Sequence, residues 1–232
     1  MPTFIFIAGG SGSGKTTLAH KLSTKLNHCG HSSQVFTMDD YFHVIPEGRE
    51  IGEFRSTTNF DREEMYDYEL LIQDLRHLAD GITINKAIFD FPTNKRLTYE
   101  SIVPSEFVIV EGLFALAFAK KHAADLAKLT VFIGQSWYKT LIDNRVARDT
   151  GDIAAGGRGH TKEQVISKER KFVGWAFFHA ISDSKSGVDV DVVNDPYVDR
   201  MKPHPLEHCV DEIIQELKDK EMLKSSSSCV IL

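Results

Sequence analysis

The segment Gly9-Gly10-Ser11-Gly12-Ser13-Gly14-Lys15-Thr16 constrains this chain more than any other stretch, because it matches the Walker A pattern of Gly, four residues, Gly-Lys-Ser/Thr. It lies between the apolar run Phe4 to Ala8 and a stretch at helical spacing, Thr16 to Asn27. Glycines there permit dihedrals closed to other residues, so successive N–H groups can converge on one concavity that takes phosphate oxygens. The following helix presents its positive N-terminal end to the same anion. Lys15 is placed to neutralise β- and γ-phosphates and the Thr16 hydroxyl to ligate Mg²⁺, so ATP or GTP is the expected ligand. The competing possibility is a Gly-rich turn that happens to precede Lys-Thr; a strand before it and a helix after it favour the phosphate cradle.

The rest of the chain repeats that alternation. Gln34 to Thr37, Phe107 to Val110, Leu129 to Ile133 and Val188 to Val193 read as strands buried on both faces. Glu63 to Ala79, Trp137 to Arg148, Thr161 to Ala180 and Leu206 to Leu223 read as helices. The expected fold is therefore α/β: a P-loop NTPase-type parallel sheet flanked by helices, with right-handed crossovers. Thr161 and Gln164 have the spacing of a capping box, so the Gly-rich segment Gly151 to Gly159 before them is expected to be a loop. Residues 43–60 read as a long loop, and Ile82 to Phe91 as an extended hairpin arm added to the sheet. With 232 residues, one core is expected, a domain over 1–223 followed by a flexible tail over 224–232.

Composition removes several classes of function. Lys plus Arg total 27 against 33 Asp plus Glu, a net charge of −6, so a phosphate-backbone binder of nucleic acid is disfavoured. The three cysteines, Cys29, Cys209 and Cys229, are widely spaced with no Cys-x-x-Cys pair, against both a disulfide framework and a zinc site. The start at Met1 lacks a basic n-region and no apolar run approaches the roughly 20 residues that span a bilayer, so a cytoplasmic location is expected.

Phosphoryl transfer further requires a metal clamp, a group that takes the acceptor's proton and positive charge on the moving phosphate. Glu111 ends the apolar run Phe107 to Val110, where a P-loop fold carries a Mg²⁺-associated carboxylate. Asp39-Asp40 end the second strand at the sheet edge where open α/β folds build their sites, and a carboxylate there can accept a hydroxyl proton. Arg145, Arg148 and Arg158 bracket the Gly-rich loop as an Arg-bearing lid. No Asn-Lys-x-Asp stands out to select guanine.

Taken together, these motifs resemble those of the uridine kinases (uridine-cytidine kinases) of the phosphoribulokinase and uridine kinase family, over residues 3 to about 195. Gly9 to Thr17 resembles that family's P-loop, which adds Thr17 to the nucleotide site. The resemblance implies that Asp39, in Thr37-Met38-Asp39-Asp40-Tyr41-Phe42, is the catalytic base, and that Asp61, in Asn59-Phe60-Asp61, holds ribose hydroxyls. It implies that Arg145 and Arg148 contact substrate and ATP phosphates, that Glu111 serves Mg²⁺, and that Lys185 precedes the last core strand. The implied activity is ATP- and Mg²⁺-dependent transfer to the 5′-hydroxyl of a uridine- or cytidine-like nucleoside by a homo-oligomer. Four positions depart from the pattern. Phe89 and Asn94 stand where the family carries a pyrimidine-reading Tyr and His, and beyond the lid His160 and Lys168 replace an Arg and a Gln. An acceptor pocket so altered also admits another ribose-like or polyol acceptor.

The final residues Cys229-Val230-Ile231-Leu232 form a Cys-aliphatic-aliphatic-X box behind the spacer Ser225 to Ser228, with a terminal Leu that favours geranylgeranylation. Lys218, Lys220 and Lys224 alternate with Asp219 and Glu221, so a single lipid would give modest anchoring. The box implies membrane direction in a eukaryotic cell, for instance after delivery of a bacterial protein into a host. It also leaves open a prenylated nucleotide switch without kinase activity.

Overall fold

β-Branched and aromatic residues that repeat without a polar break form strands packed on both faces, and the computed structural model, which describes residues 1–151, 159–194 and 205–223, contains five of them in one sheet. They are β1 (Thr3–Gly9), β2 (Ser33–Thr37), β5 (Phe107–Glu111), β6 (Ala127–Gly134) and β7 (Val190–Val193), all parallel, in the order β2-β5-β1-β6-β7. Within β1 the side chains divide by parity: Phe4, Phe6 and Ala8 join one core and Ile5 and Ile7 the other. The first core is closed by α3 (Tyr68–Ala79) and α4 (Ala115–His122), the second by α1 (Lys15–His28) and α8 (Pro205–Asp219).

The capping box is present: the Thr161 hydroxyl accepts the Gln164 N–H and the Gln164 side chain accepts the Thr161 N–H. α5 (Tyr138–Asp149) precedes it, and α6 (Lys162–Lys168) opens a helical run to Ile181 that widens into π-type turns at Glu169–Val173 and Phe177–Ile181, on either side of α7 (Gly174–Ala176).

Several sequence expectations are corrected. The arm does not add to the parallel sheet. It is a separate antiparallel pair, β3 (Ile84–Asp90) with β4 (Lys95–Ile102), so its second strand lies beyond the expected Phe91. Residues 43–60 are not all loop, since α2 (Ile51–Thr57) lies within them, anchored by buried Phe54. The helix expected from Glu63 begins at Tyr68, because the Asp67 carboxylate accepts the Leu70 N–H and sets the start there. Helix α4 was not expected at all. Arg158, Cys229 and the tail 224–232 lie outside the described residues.

Candidate active site

The crossover from β1 into α1 builds the floor of the site. Gly12 and Gly14 have φ of +88° and +93°, and a Cβ on Gly12 would stand 2.5 Å from the Leu141 carbonyl oxygen of α5. Only glycine fits such a position. The loop's carbonyls are engaged by the protein: the Gly10 carbonyl accepts the Ser13 N–H at 3.1 Å, Gly12 accepts Asn144 Nδ2 at 3.0 Å and Ser13 accepts Asn194 Nδ2 at 2.8 Å. Peptides fixed in this way form an anion-binding concavity without reorganising when phosphate arrives.

Above this floor lies a cleft of about 1000 Å³, open mouth included, whose wall carries Ser11, Lys15, Asp39, Asp61, Arg145 and Arg148. Asn94, His160 and Lys168 line it as well. Nine residues singled out from sequence thus meet in one cavity. Thr17 is exposed one step along α1, outside this lining. Phe89 is not on the wall either: it is 4 % exposed, packed behind Phe42 and Phe91, while Phe91 and Phe42 face the cleft. Phe91 lies past the end of β3, where strand alternation no longer applies. Sequence reasoning also missed Arg55, Thr58 and Phe60 on the wall, because they belong to or follow the unexpected α2. Phe60 stood within the quoted Asn59-Phe60-Asp61 motif, and that was the available signal.

Two adjacent carboxylates take opposite directions from the turn Met38–Tyr41. Asp39 faces the cleft, with the buried Tyr66 hydroxyl 3.5 Å from its Oδ1. Burial, then the Asp39 charge, pushes the Tyr66 hydroxyl well above its ordinary value, so it stays a neutral donor. Asp40 is buried and turned away, its carboxylate held by the Lys86 ammonium and, at 3.0 Å, by the Phe89 N–H. Asp61 is pushed upward by desolvation, opposed first by the Arg145 charge.

The arginines sit in a connected array. Arg145, 7 % exposed, binds Asp149 Oδ2 through Nε at 3.3 Å and Glu169 Oε2 at 3.0 Å. Arg148 Nε donates to Asp149 Oδ1 at 2.7 Å, and the Tyr138 hydroxyl donates to Glu169. A guanidinium fixed by two carboxylates keeps its fork oriented before any phosphate is present.

Glu111 lies behind Lys15 at the end of β5 and is 3 % exposed. Its Oε1 accepts the Thr37 hydroxyl at 2.8 Å, whereas its Oε2 is buried with no hydrogen-bond partner among the described residues. Burial raises its carboxyl, opposed by the Lys15 charge and by the hydroxyls of Thr37 and Thr16. A carboxylate with an orphaned oxygen beside a threonine hydroxyl is an oxygen donor set that suits Mg²⁺. Among the described residues there is no cluster of three His, Cys, Asp or Glu side chains that would hold a metal by itself.

With this geometry in view, comparison with known proteins is specific. A uridine kinase from Ligilactobacillus salivarius is 30 % identical over 192 residues, 82 % of this chain and 84 % of that one. A uridine kinase from Staphylococcus haemolyticus is 33 % identical over 168 residues, 72 % and 75 % of the two chains. Phosphoribulokinase from Rhodobacter spheroides shares the fold at a TM-score of 0.56 and 16 % identity, over 88 % of this chain and 74 % of that one. The model of the Phosphoribulokinase / Uridine kinase family matches residues 4–200, a span that contains the phosphate loop, the cleft carboxylates and the arginine array, and the chain belongs to that family as a phosphotransferase with an alcohol group as its acceptor.

Proposed function

We propose that the chain transfers the γ-phosphoryl of ATP to the primary 5′-hydroxyl of a nucleoside of the uridine or cytidine kind. The observation that carries this is the meeting of Asp39 and Asp61 with Lys15, Arg145 and Arg148 in one cleft. In this reading Asp39 takes the proton of the attacking hydroxyl, while the Tyr66 hydroxyl orients its carboxylate. Asp61 binds the ribose hydroxyls and fixes the acceptor's orientation, with Arg145 balancing its charge. The aromatic wall of Phe42, Phe60 and Phe91 offers faces on which a base can stack, and Asn94 supplies the amide that reads its edge. Lys15, Arg145 and Arg148 hold the phosphates and oppose the charge that spreads over them during transfer, and His160 and Lys168 line the same cleft. Thr16 and Glu111 would hold Mg²⁺, which would neutralise charge on the phosphates. The test is ATP consumption with Mg²⁺ over a panel of nucleosides and ribose-like polyols. Turnover confined to uridine and cytidine supports the reading; turnover confined to polyols replaces the acceptor; ATP binding with no acceptor turnover favours a nucleotide switch.

The metal assignment has a signature of its own. A carboxyl whose folded pKa is raised destabilises the fold once ionised, fully above the raised value and not at all below the unfolded one. Glu111→Gln is therefore expected to raise the melting temperature of the nucleotide-free protein at pH 8, by about 2–4 °C per kcal/mol of burial penalty removed. That gain shrinks as the pH falls and disappears below about 4.5, the ordinary value of the group. The same variant should need roughly 10-fold or more Mg²⁺ for half-maximal turnover. An unchanged Mg²⁺ requirement would remove Glu111 from the metal site.

We also propose that Cys229 is geranylgeranylated where a eukaryotic prenyltransferase is present, which would bring the kinase to a membrane, and that the chain self-associates. Support for the lipid is the Cys229 to Leu232 box behind its serine spacer. No helix among the described residues is long and apolar enough to cross a membrane. Metabolic labelling with a prenyl analogue should tag the wild type and not Cys229→Ser, and equal labelling of both would exclude the modification.

A further inference from the structure

Lys86 is 2 % exposed, yet it projects from the inner face of the hairpin arm and not from the cleft. Its ammonium meets Asp40 directly, Glu100 across the strand pair at 2.9 Å and the Phe36 ring at 5.5 Å to the centroid. Asp40 also accepts the Phe89 N–H of the same strand. From the other side, the Tyr41 hydroxyl donates to Asp74 at 2.6 Å and the Tyr41 carbonyl accepts the Asp67 N–H at 2.7 Å. The turn Met38–Tyr41 is thus clamped between the arm and α3, and Asp39 is the residue within it that faces the cleft.

A buried ion pair is a poor stabiliser, because desolvating two charges costs about as much as their attraction returns, and apolar residues of the same shape often do as well. What such a pair supplies is fixed geometry. Here it fastens the arm, whose tip carries Phe91 and Asn94, to the turn that carries Asp39. We propose that Lys86 is a positioning residue for phosphoryl transfer: by binding Asp40 it sets the orientation of Asp39 and ties that orientation to the acceptor-reading arm. This rests on the kinase reading given above.

The test compares Lys86→Met, Asp40→Asn and the double variant with wild type, measuring kcat, KM for ATP and for acceptor, and melting temperature. Lys86→Met is expected to lower kcat about 10- to 100-fold, as sub-ångström to ångström misplacement of a catalytic group does, with KM for ATP within about twofold. The double variant removes both charges, so it should melt near or above wild type while its kcat remains reduced. A merely structural pair predicts the reverse: wild-type kcat once the double variant is stable, or kcat and ATP KM lost together in Lys86→Met. Either result overturns the proposal. If Lys86→Met fails to fold, the double variant decides alone. If the wild type phosphorylates no acceptor, the kinase reading fails first. Hydrogen exchange of residues 38–42 then decides the link: faster exchange in the double variant, with α1 unchanged, upholds it, and equal exchange overturns it.

Discussion

Asp39→Asn is expected to lower turnover by about 10²- to 10⁴-fold while leaving ATP affinity within about twofold of wild type. Asparagine keeps the shape of the side chain and can still accept from the Tyr66 hydroxyl, so the turn and its neighbours should not move. What it loses is the capacity to take a proton from the acceptor hydroxyl. The loss should therefore appear in kcat, with the acceptor's KM changed far less, as for an interaction made in the transition state. Steady-state kinetics with the best acceptor, beside direct titration of ATP, reads both quantities. A variant that keeps more than a tenth of wild-type turnover would displace Asp39 as the base. A nucleotide switch would be indifferent to the change.

Lys15→Ala should act on the other substrate. Removing one partner of a desolvated charge pair costs about 2–5 kcal/mol, so ATP affinity should fall roughly 30-fold to several thousand-fold. The effect reaches further than the phosphates, because the Lys15 charge also offsets the buried carboxyl of Glu111 and contributes at Asp61. Without it both carboxyls are pushed further toward the protonated form, and the oxygens meant for Mg²⁺ and for the acceptor lose charge together. ATP titration, with and without Mg²⁺, should show the affinity loss in both conditions. The two variants separate cleanly: Asp39→Asn keeps ATP affinity and loses turnover, whereas Lys15→Ala loses ATP affinity itself. Retained ATP affinity in Lys15→Ala would show that the Gly-rich loop is not the nucleotide site.

The sheet and the phosphate loop are legible because each depends on local pattern. Strand β1 alternates between two cores, and the loop needs glycine where φ is positive. Helix α4 was hidden for the opposite reason. Leu113 to Ala119 is apolar almost throughout and buried on most sides, so it carries no 3.6-residue contrast to read. Strand β4 was hidden by exposure, since most of its residues face solvent and its apolar Leu97 and Tyr99 are 55 % and 61 % exposed. Within the site, nothing in the pair Asp39-Asp40 distinguishes two identical residues. Their division of labour comes from Lys86, 46 positions away, whose burial is a tertiary fact. Motif position alone points to Phe89, and the end of β3 after it places Phe91 on the cleft wall instead.

The opposed directions of Asp39 and Asp40 also shape how this chain can change over evolutionary time. Losing Lys86 alone strands the carboxylate of Asp40 in a buried setting, and losing Asp40 alone leaves Lys86 to the half-exposed Glu100 and the Phe36 ring. Each single step costs stability, while the paired exchange to two apolar or neutral residues is nearly level in stability but gives up the hold on the turn that carries Asp39. Positions 40 and 86 should therefore be inherited as a linked couple, charged together wherever the turn must be held, beside an aspartate at position 39, which faces the cleft.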